Sequence, residues 1–455
     1  MSDLQQLAQH VVDLAVRNGA TAADCVIREG REFSTTIRCG EIEQLKEAQA
    51  KALGLRVFLG CRSAGSYTSD FSSQGIEQLV SRALAAARVT SEDSYAGLSD
   101  PALVGKFAGD LELYHEDVAD LASDFMIEQA RRAEMAAFAY DPRIKNSEGS
   151  SFDSYCGSKV LATSQGFVGQ YRGSTCSLSV VPIAVPDAGA GVGMPGMQRD
   201  YWYSLARSFS RLESPEQVGR KAAERAVRRL GARKVPTCRV PVVFEPRTAR
   251  SLLTHLADAL NGDAIYRGAS FLANRLGQKI ASDTVTIVDD GALPGGFGSS
   301  PFDDECVRTR RTVIVERGIL KNYLLNSYAG RKLGMETTAN AARGLAGNPG
   351  IGPTNFFWEA GAESPENIIR SIQKGLYITE FSGVGFNAVT GDLSHGAVGL
   401  WIENGELAYA VEEITVAGNL QEILQGITHI GTDLEFRGSI AAPTLAVAEL
   451  TVAGH

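Results

Sequence analysis

The sequence predicts an α+β fold, in which an N-terminal region of helices and a strand meander precedes a β-rich C-terminal domain of mainly antiparallel sheet. Three observations carry the prediction. Leu4, Leu7, Ala8, Val11, Val12, Leu14 and Ala15 recur at helical spacing, whereas Cys25 to Asp70 alternates between apolar and polar residues. The second half is dense in glycine and sets apolar runs on either side of two-residue turn signals.

The opening helix ends at Asn18-Gly19. Glu32 to Arg38, Gln49 to Leu59 and Ser66 to Phe71 read as strands, with Cys39-Gly40 and Gly60 to Gly65 as turns, and Gly75 to Val89 returns to helical period. Ser91 to Gly109 has the Ser, Asp, Gly and Pro content of a linker. Glu116 to Phe138 reads as one helix, Ser150 to Val181 as strands facing both ways, and Ala184 to Gly196 as a mobile Gly/Pro loop. Glu216 to Leu230 is amphipathic. After a boundary at Gly231 to Thr237 come a strand, Cys238 to Phe244, and a helix, Thr248 to Leu260.

Arg317-Gly318 and Asn404-Gly405 are hairpin turns, and Glu413 to Gly418 recurs as Glu449 to Gly454, which suggests two equivalent paired strands. At 455 residues the chain exceeds what one core serves. We divide it into an N-terminal α/β unit (1–109), a central α/β unit packed with it (110–230) and a C-terminal β-rich domain (231–455).

A net charge of -9 with 44% hydrophobic and 21% charged residues describes a globular protein without the basic face of a nucleic-acid binder. The seven cysteines are scattered, odd in number and never spaced as CxxC, which reads as reduced thiols. No leader pattern and no apolar stretch of membrane-spanning length is present. The expectation is a cytoplasmic protein that contacts neither membrane nor nucleic acid directly.

The densest ordered segment is Gly385-Phe386-Asn387-Ala388-Val389-Thr390-Gly391-Asp392-Leu393-Ser394-His395, continuing through Trp401 and Asn404-Gly405 to Glu413-Ile414-Thr415-Val416-Ala417-Gly418-Asn419-Leu420. With it the chain resembles, essentially end to end, the TldD/PmbA family of bacterial two-subunit peptidases, and within it the PmbA (TldE) branch. The TldD branch carries a His-Glu-x-x-x-His helix and a late Cys that together hold zinc, the Glu activating the metal-bound water. Anchored on Gly262-Asp263, those helix positions fall on Leu253, Thr254 and Asp258, and the late Cys falls within Gly438 to Pro443, where this chain has no cysteine.

The resemblance therefore implies no catalytic residue, no metal site and no cofactor in this chain, with Zn2+ carried by a TldD-like subunit in a heterodimer. It further implies unfolded peptides as substrates, leader peptides and antitoxins among them, and leaves a homodimer possible for the isolated chain. The family's older description as a modulator of DNA gyrase gives an alternative, a non-catalytic regulatory binding protein.

Read without metal, the helix has a packing stripe of Ala249, Leu252, Leu253, Leu256 and Leu260, with His255 and Asp258 on another face as an ion pair or a two-ligand site. His115-Glu116 lacks the second histidine of a zinc motif and reads as a polar helix start. Asp392, Ser394 and His395 stand too close along one strand to converge as a triad, so Ser394 and His395 are read as turn or substrate contacts.

Cys306, amid acidic and arginine neighbours, reads as a half-buried structural thiol, which leaves little for a self-sufficient hydrolase built on His255, Asp258, His395 or Cys306. Gly291 to Pro301 and Gly344 to Pro353 lack the order of a phosphate loop and are read as loops that a peptide backbone approaches. Asn355 to Glu359 is read either as an edge strand receiving a peptide, through Asn355 and Phe357, or as an ordinary core strand.

Overall fold

The computed structural model describes residues 1–186, 196–383 and 385–454; most of the Gly/Pro segment expected to be mobile lies outside the described residues. Helix α1 (Asp3–Arg17) starts on a reciprocal cap, in which the Ser2 hydroxyl accepts the Gln5 N–H and the Gln5 side chain accepts the Ser2 N–H. It is followed by β1 (Ala22–Arg38), β2 (Glu41–Leu59), β3 (Arg62–Thr68) and α2 (Ser73–Val89). Then come α3 (Glu116–Ala119), α4 (Ser123–Tyr140), β4 (Ile144–Thr163), β5 (Val168–Ala184), β6 (Gln198–Arg199), β7 (Trp202–Ala206) and α5 (Pro215–Arg228). The single helix expected over Glu116 to Phe138 is thus broken between Asp120 and Ala122.

These seven strands form one antiparallel sheet, ordered β3-β2-β1-β4-β5-β6 with β7 also on β5, so a ladder from β1 to β4 joins residues of the first and central units directly. Strand parity explains its burial. Ala23, Cys25 and Ile27 of β1 face α1 and α2, and Phe33 and Ile37, on the same face, meet α4 and α5. Val26 and Leu161, on the opposite face, pack against Phe302 and Cys306 of the C-terminal region. The expected linker also lies on that region, with the Gly105 N–H donating to the Cys306 carbonyl and the Phe107 N–H to that of Pro301.

The C-terminal region contains β8 (Cys238–Phe244), α6 (Pro246–Leu260), α7 (Gly262–Tyr266), β9 (Ile287–Asp290), β10 (Arg311–Glu316), β11 (Ile319–Leu320) and α8 (Ser327–Leu333). It continues with β12 (Ala341–Ala342), β13 (Gly350–Ile351), β14 (Phe356–Trp358), α9 (Pro365–Arg370), β15 (Lys374–Ser382), β16 (Asp392–Glu403) and β17 (Glu406–Asn419). The last elements are α10 (Leu420–Gln425), β18 (Ile427–Ile430), β19 (Ile440–Ala441) and β20 (Leu445–Ala453). The main sheet runs β17-β16-β15-β8-β20-β18, and β17 also pairs with β20, which closes five strands into a ring.

The closing seam is the sequence repeat. Thr415, Val416 and Ala417 pair with Ala453, Val452 and Thr451. Both hairpin turns hold a positive-φ pair, Arg317 and Gly318 at 46° and 79°, Asn404 and Gly405 at 52° and 79°. A second sheet runs β11-β10-β9-β14-β19. Strand β14 therefore has neighbours on both sides, and with Phe356 and Trp358 fully buried it is a core strand with no open edge for a peptide.

Candidate functional site

Helix α6 presents Thr248, Ala249, Leu252, Leu253, Leu256, Ala259 and Leu260 to the C-terminal core. That register buries Leu253 completely, leaves Thr254 facing outward with its hydroxyl donating to the Arg250 carbonyl, and puts Asp258 at the surface. Burial nevertheless raises the Asp258 carboxyl above its ordinary range. The stretch from Gly438 comes alongside, since a β-carbon on Gly438 would lie 3.8 Å from Arg250 Nη1.

His255 does not pair with Asp258. Its Nε2 lies 3.0 Å from Nε2 of His395 on β16, with ring planes 12° apart and centroids 5.1 Å apart, so the imidazoles meet tip to tip. Phe386 stacks on His255 at 4.5 Å and Phe381 leans on His395 at 4.9 Å. His395 Nδ1 sits 3.3 Å from the Gly383 carbonyl. If it donates there, His395 Nε2 is left to accept the proton of His255, a tautomer assignment inferred from the network. Burial, and then the neighbouring His395, push His255 down to about 4, so it is neutral near pH 7.

These residues do not fit a catalytic zinc. Leu253 has no donor, Asp258 is one carboxylate, and each imidazole directs its Nε2 at the other; among the described residues no group of three or more His, Cys, Asp or Glu could hold a metal ion.

The structure separates the other candidates. His395 is buried, whereas Asp392 and Ser394 are exposed on the opposite face of β16, so no triad forms and His395 is not free to touch substrate. Asn355 is fully buried: its Nδ2 donates to the Asp290 carbonyl (2.6 Å) and Ser299 Oγ (2.8 Å), and its Oδ1 accepts the Gly298 N–H. It braces a loop and is not a peptide contact. Phe357 is half-buried, edge-on to Phe436 at 5.1 Å.

The glycine-rich loops, expected to receive substrate, are committed inside the chain. The Leu345 carbonyl sits where a β-carbon of Gly54 would be, and Gly298 is pressed against the backbone of Thr354. His115 stands at the N-terminus of α3, and Glu116 binds Arg172 and Tyr114. Cys306, at φ 63°, is fully buried and its thiol is raised far above the ordinary value, chiefly by burial.

Between β7 and the loops at Phe297 and Phe436 runs a groove of about 250 Å³ lined by Ser204, Arg207, Glu213, Phe297, Glu435, Phe436 and Arg437. It went unseen in the sequence because its walls come from three distant segments. Arg437 lies over the Trp202 ring at 4.4 Å and pairs with Glu213 at 2.6 Å. Arg207 is held by the carbonyls of Leu113, Ser174, Gly296 and Phe297, and next to the groove Arg250 donates to the Tyr203 hydroxyl at 3.0 Å. Neither has a carboxylate within 4.0 Å among the described residues. The walls thus mix arginines already held by carbonyls or carboxylates with two half-buried phenyl rings and two glutamates, a polar groove without a net preference of charge.

Sequence comparison decides the lineage. Residues 23–87, 116–230 and 237–454 match the PmbA/TldA metallopeptidase domain 1, central domain and C-terminal domain. The chain belongs to the PmbA/TldD metallopeptidase family. Within the PmbA branch it is 38% identical to the metalloprotease PmbA of Escherichia coli O157:H7 over 99% of this chain and 96% of that one. It is also 38% identical to the Haemophilus influenzae homologue over 100% and 96%. A Bacteroides thetaiotaomicron structure, described as a candidate modulator of DNA gyrase, superposes with a TM-score of 0.91 at 29% identity, each chain covered in full. TldE of Thermococcus kodakarensis shares the fold at a TM-score of 0.89 and 19% identity, covering 98% of this chain and 100% of that one.

Proposed function

We propose that this chain is the zinc-free subunit of a heteromeric, cytoplasmic metallopeptidase, in which a TldD-like subunit supplies Zn2+ and the general base. Its own part is to shape the chamber and hold an unfolded peptide along the groove between Arg207, Phe297 and Arg437. The observation that carries this reading is the turn from Leu253 to Asp258, where a fully buried leucine and a lone carboxylate stand at positions the zinc-binding branch gives to histidines. The names of its relatives support a peptidase family.

The test is zinc analysis and an unfolded-peptide cleavage assay on the purified chain, alone and with a TldD-type partner. Cleavage only in the mixture supports the proposal, and stoichiometric zinc with cleavage by the chain alone overturns it. The second reading, a regulatory binding protein, draws on the structure described as a candidate gyrase modulator and predicts no cleavage in either sample. The acidic balance of the chain favours a protein contact over a DNA contact in that case.

A further inference from the structure

A cavity of about 730 Å³ opens where α7 and α8 face β2 and residues 90–97. Its size suits a ligand several times larger than a metal ion or a single small group. Three tyrosines form one wall: Tyr95 and Tyr266 each meet Tyr328 edge-on, at 6.5 Å and 6.1 Å, and Lys332 Nζ lies 4.1 Å from the centre of the Tyr95 ring. Arg331 spends its guanidinium on the carbonyls of Tyr95, Gly97 and Leu98, which fixes that wall.

At the inner end stands Glu305, only 6% exposed. Its Oε2 accepts the Ser327 N–H at 2.7 Å, and among the described residues no donor meets Oε1 and no cation lies within 4.0 Å of the carboxylate. Asp263, also on the lining, has no ion pair among the described residues. Oε1 is not sealed in the interior but opens to the cavity, where a cationic donor can reach it and form a charge-assisted hydrogen bond. Lys332 and Arg267 supply positive charge elsewhere on the same lining.

We propose that this cavity binds a short unblocked peptide of two to four residues as a zwitterion, its terminal ammonium on Glu305 and its carboxylate on the side of Lys332 and Arg267. The tyrosine wall packs against its side chains. The lining balances Arg56, Arg267, Arg331 and Lys332 with Glu92, Asp93, Asp263 and Glu305, which suits a ligand carrying both charges better than a polyphosphate. Binding here is by this chain alone and shares no lining residue with the groove at Arg207 and Arg437, so it stands apart from the zinc-free subunit reading.

The test is calorimetric titration of the full chain with trialanine, its N-acetyl derivative, its C-terminal amide and ATP. Free trialanine should bind, and acetylation and amidation should each weaken it about tenfold or more, since each removes one charged contact. Glu305→Gln should cancel the preference for a free N-terminus and Lys332→Met the preference for a free C-terminus. Lys332 is partly exposed, so that variant keeps the proposal testable if the other fails to fold. Equal binding of free and blocked peptides, tighter binding of ATP, or no saturation by trialanine below about 10 mM overturns it.

Discussion

His255 and His395, 140 residues apart in sequence, share one hydrogen bond between their Nε2 atoms at 3.0 Å, between α6 and β16. Two protonated rings cannot keep that contact, and burial already disfavours the charged form of His255. The chain thus closes two imidazoles on each other, which leaves neither Nε2 free.

A pH dependence follows. The folded state holds His255 at about 4, against 6.5 for the unfolded chain, so the unfolded state binds the extra proton between those values. Stability from this group is complete above pH 6.5 and lost as pH falls towards 4, about 2 kcal/mol in all once partial solvent access is allowed for. Imidazole NMR should place the His255 midpoint well below pH 6; a midpoint near 6.5 removes this reading.

The joint between α5 and the start of α6 should be far more costly to break than a surface pair. Arg225 meets Glu245 at 2.5 Å with both side chains about nine-tenths buried, and Asp200 stands 3.2 Å from the same guanidinium. Glu245→Ala leaves buried arginine charge and should cost about 3–5 kcal/mol in urea denaturation. Glu216→Ala, which removes the exposed Arg132 pair, should cost less than about 1 kcal/mol. Similar losses for both would contradict the assigned burial.

Metal removal should do nothing to this chain. Chelation by EDTA should move its melting temperature by no more than about 1 °C, because the donors on α6 do not fit a metal ion. Leu253→His, by contrast, puts a polar ring into a dry core and should cost about 2–5 kcal/mol without creating zinc affinity. A metal-dependent melting curve for the unaltered chain would count against the donor set described for α6.

Gly54→Ala should loosen the contact between the first sheet and the loop at Leu345. Its methyl group would overlap the Leu345 carbonyl, a backbone atom that cannot swing aside. A loss of about 1–3 kcal/mol is expected from thermal or chemical denaturation. An unchanged midpoint would show that the loop moves freely.

Legibility in the sequence followed locality. The helices α1, α2, α5 and α6, the two positive-φ turns and the repeat that pairs across β17 and β20 were readable, because each rests on neighbours in the chain. The first part of β1 was missed because Ala23 to Ile27 is buried on both faces, by helices on one and by Phe302 and Cys306 on the other, which erases the alternation that marks a half-buried strand. The break at Asp120 to Ala122 carries neither proline nor glycine. After it, Phe125 meets Phe209 at 5.2 Å, a tertiary contact that local propensity does not encode.

The site divided the same way. Leu253 as a packing residue was legible from helical spacing. The identification of Asn355 as a brace, the meeting of His255 with His395 and the cavity at Glu305 depend on segments brought together by the fold.

The ring made by β17, β16, β15, β8 and β20 is fastened by its final strand, which touches β8 on one edge and both β17 and β18 on the other. Removing residues 445–453 would therefore strip a stave from a cask and leave three neighbouring strands with raw edges, prone to stick to other chains. A purification tag belongs at the opposite terminus, beside the capped and solvent-facing start of α1.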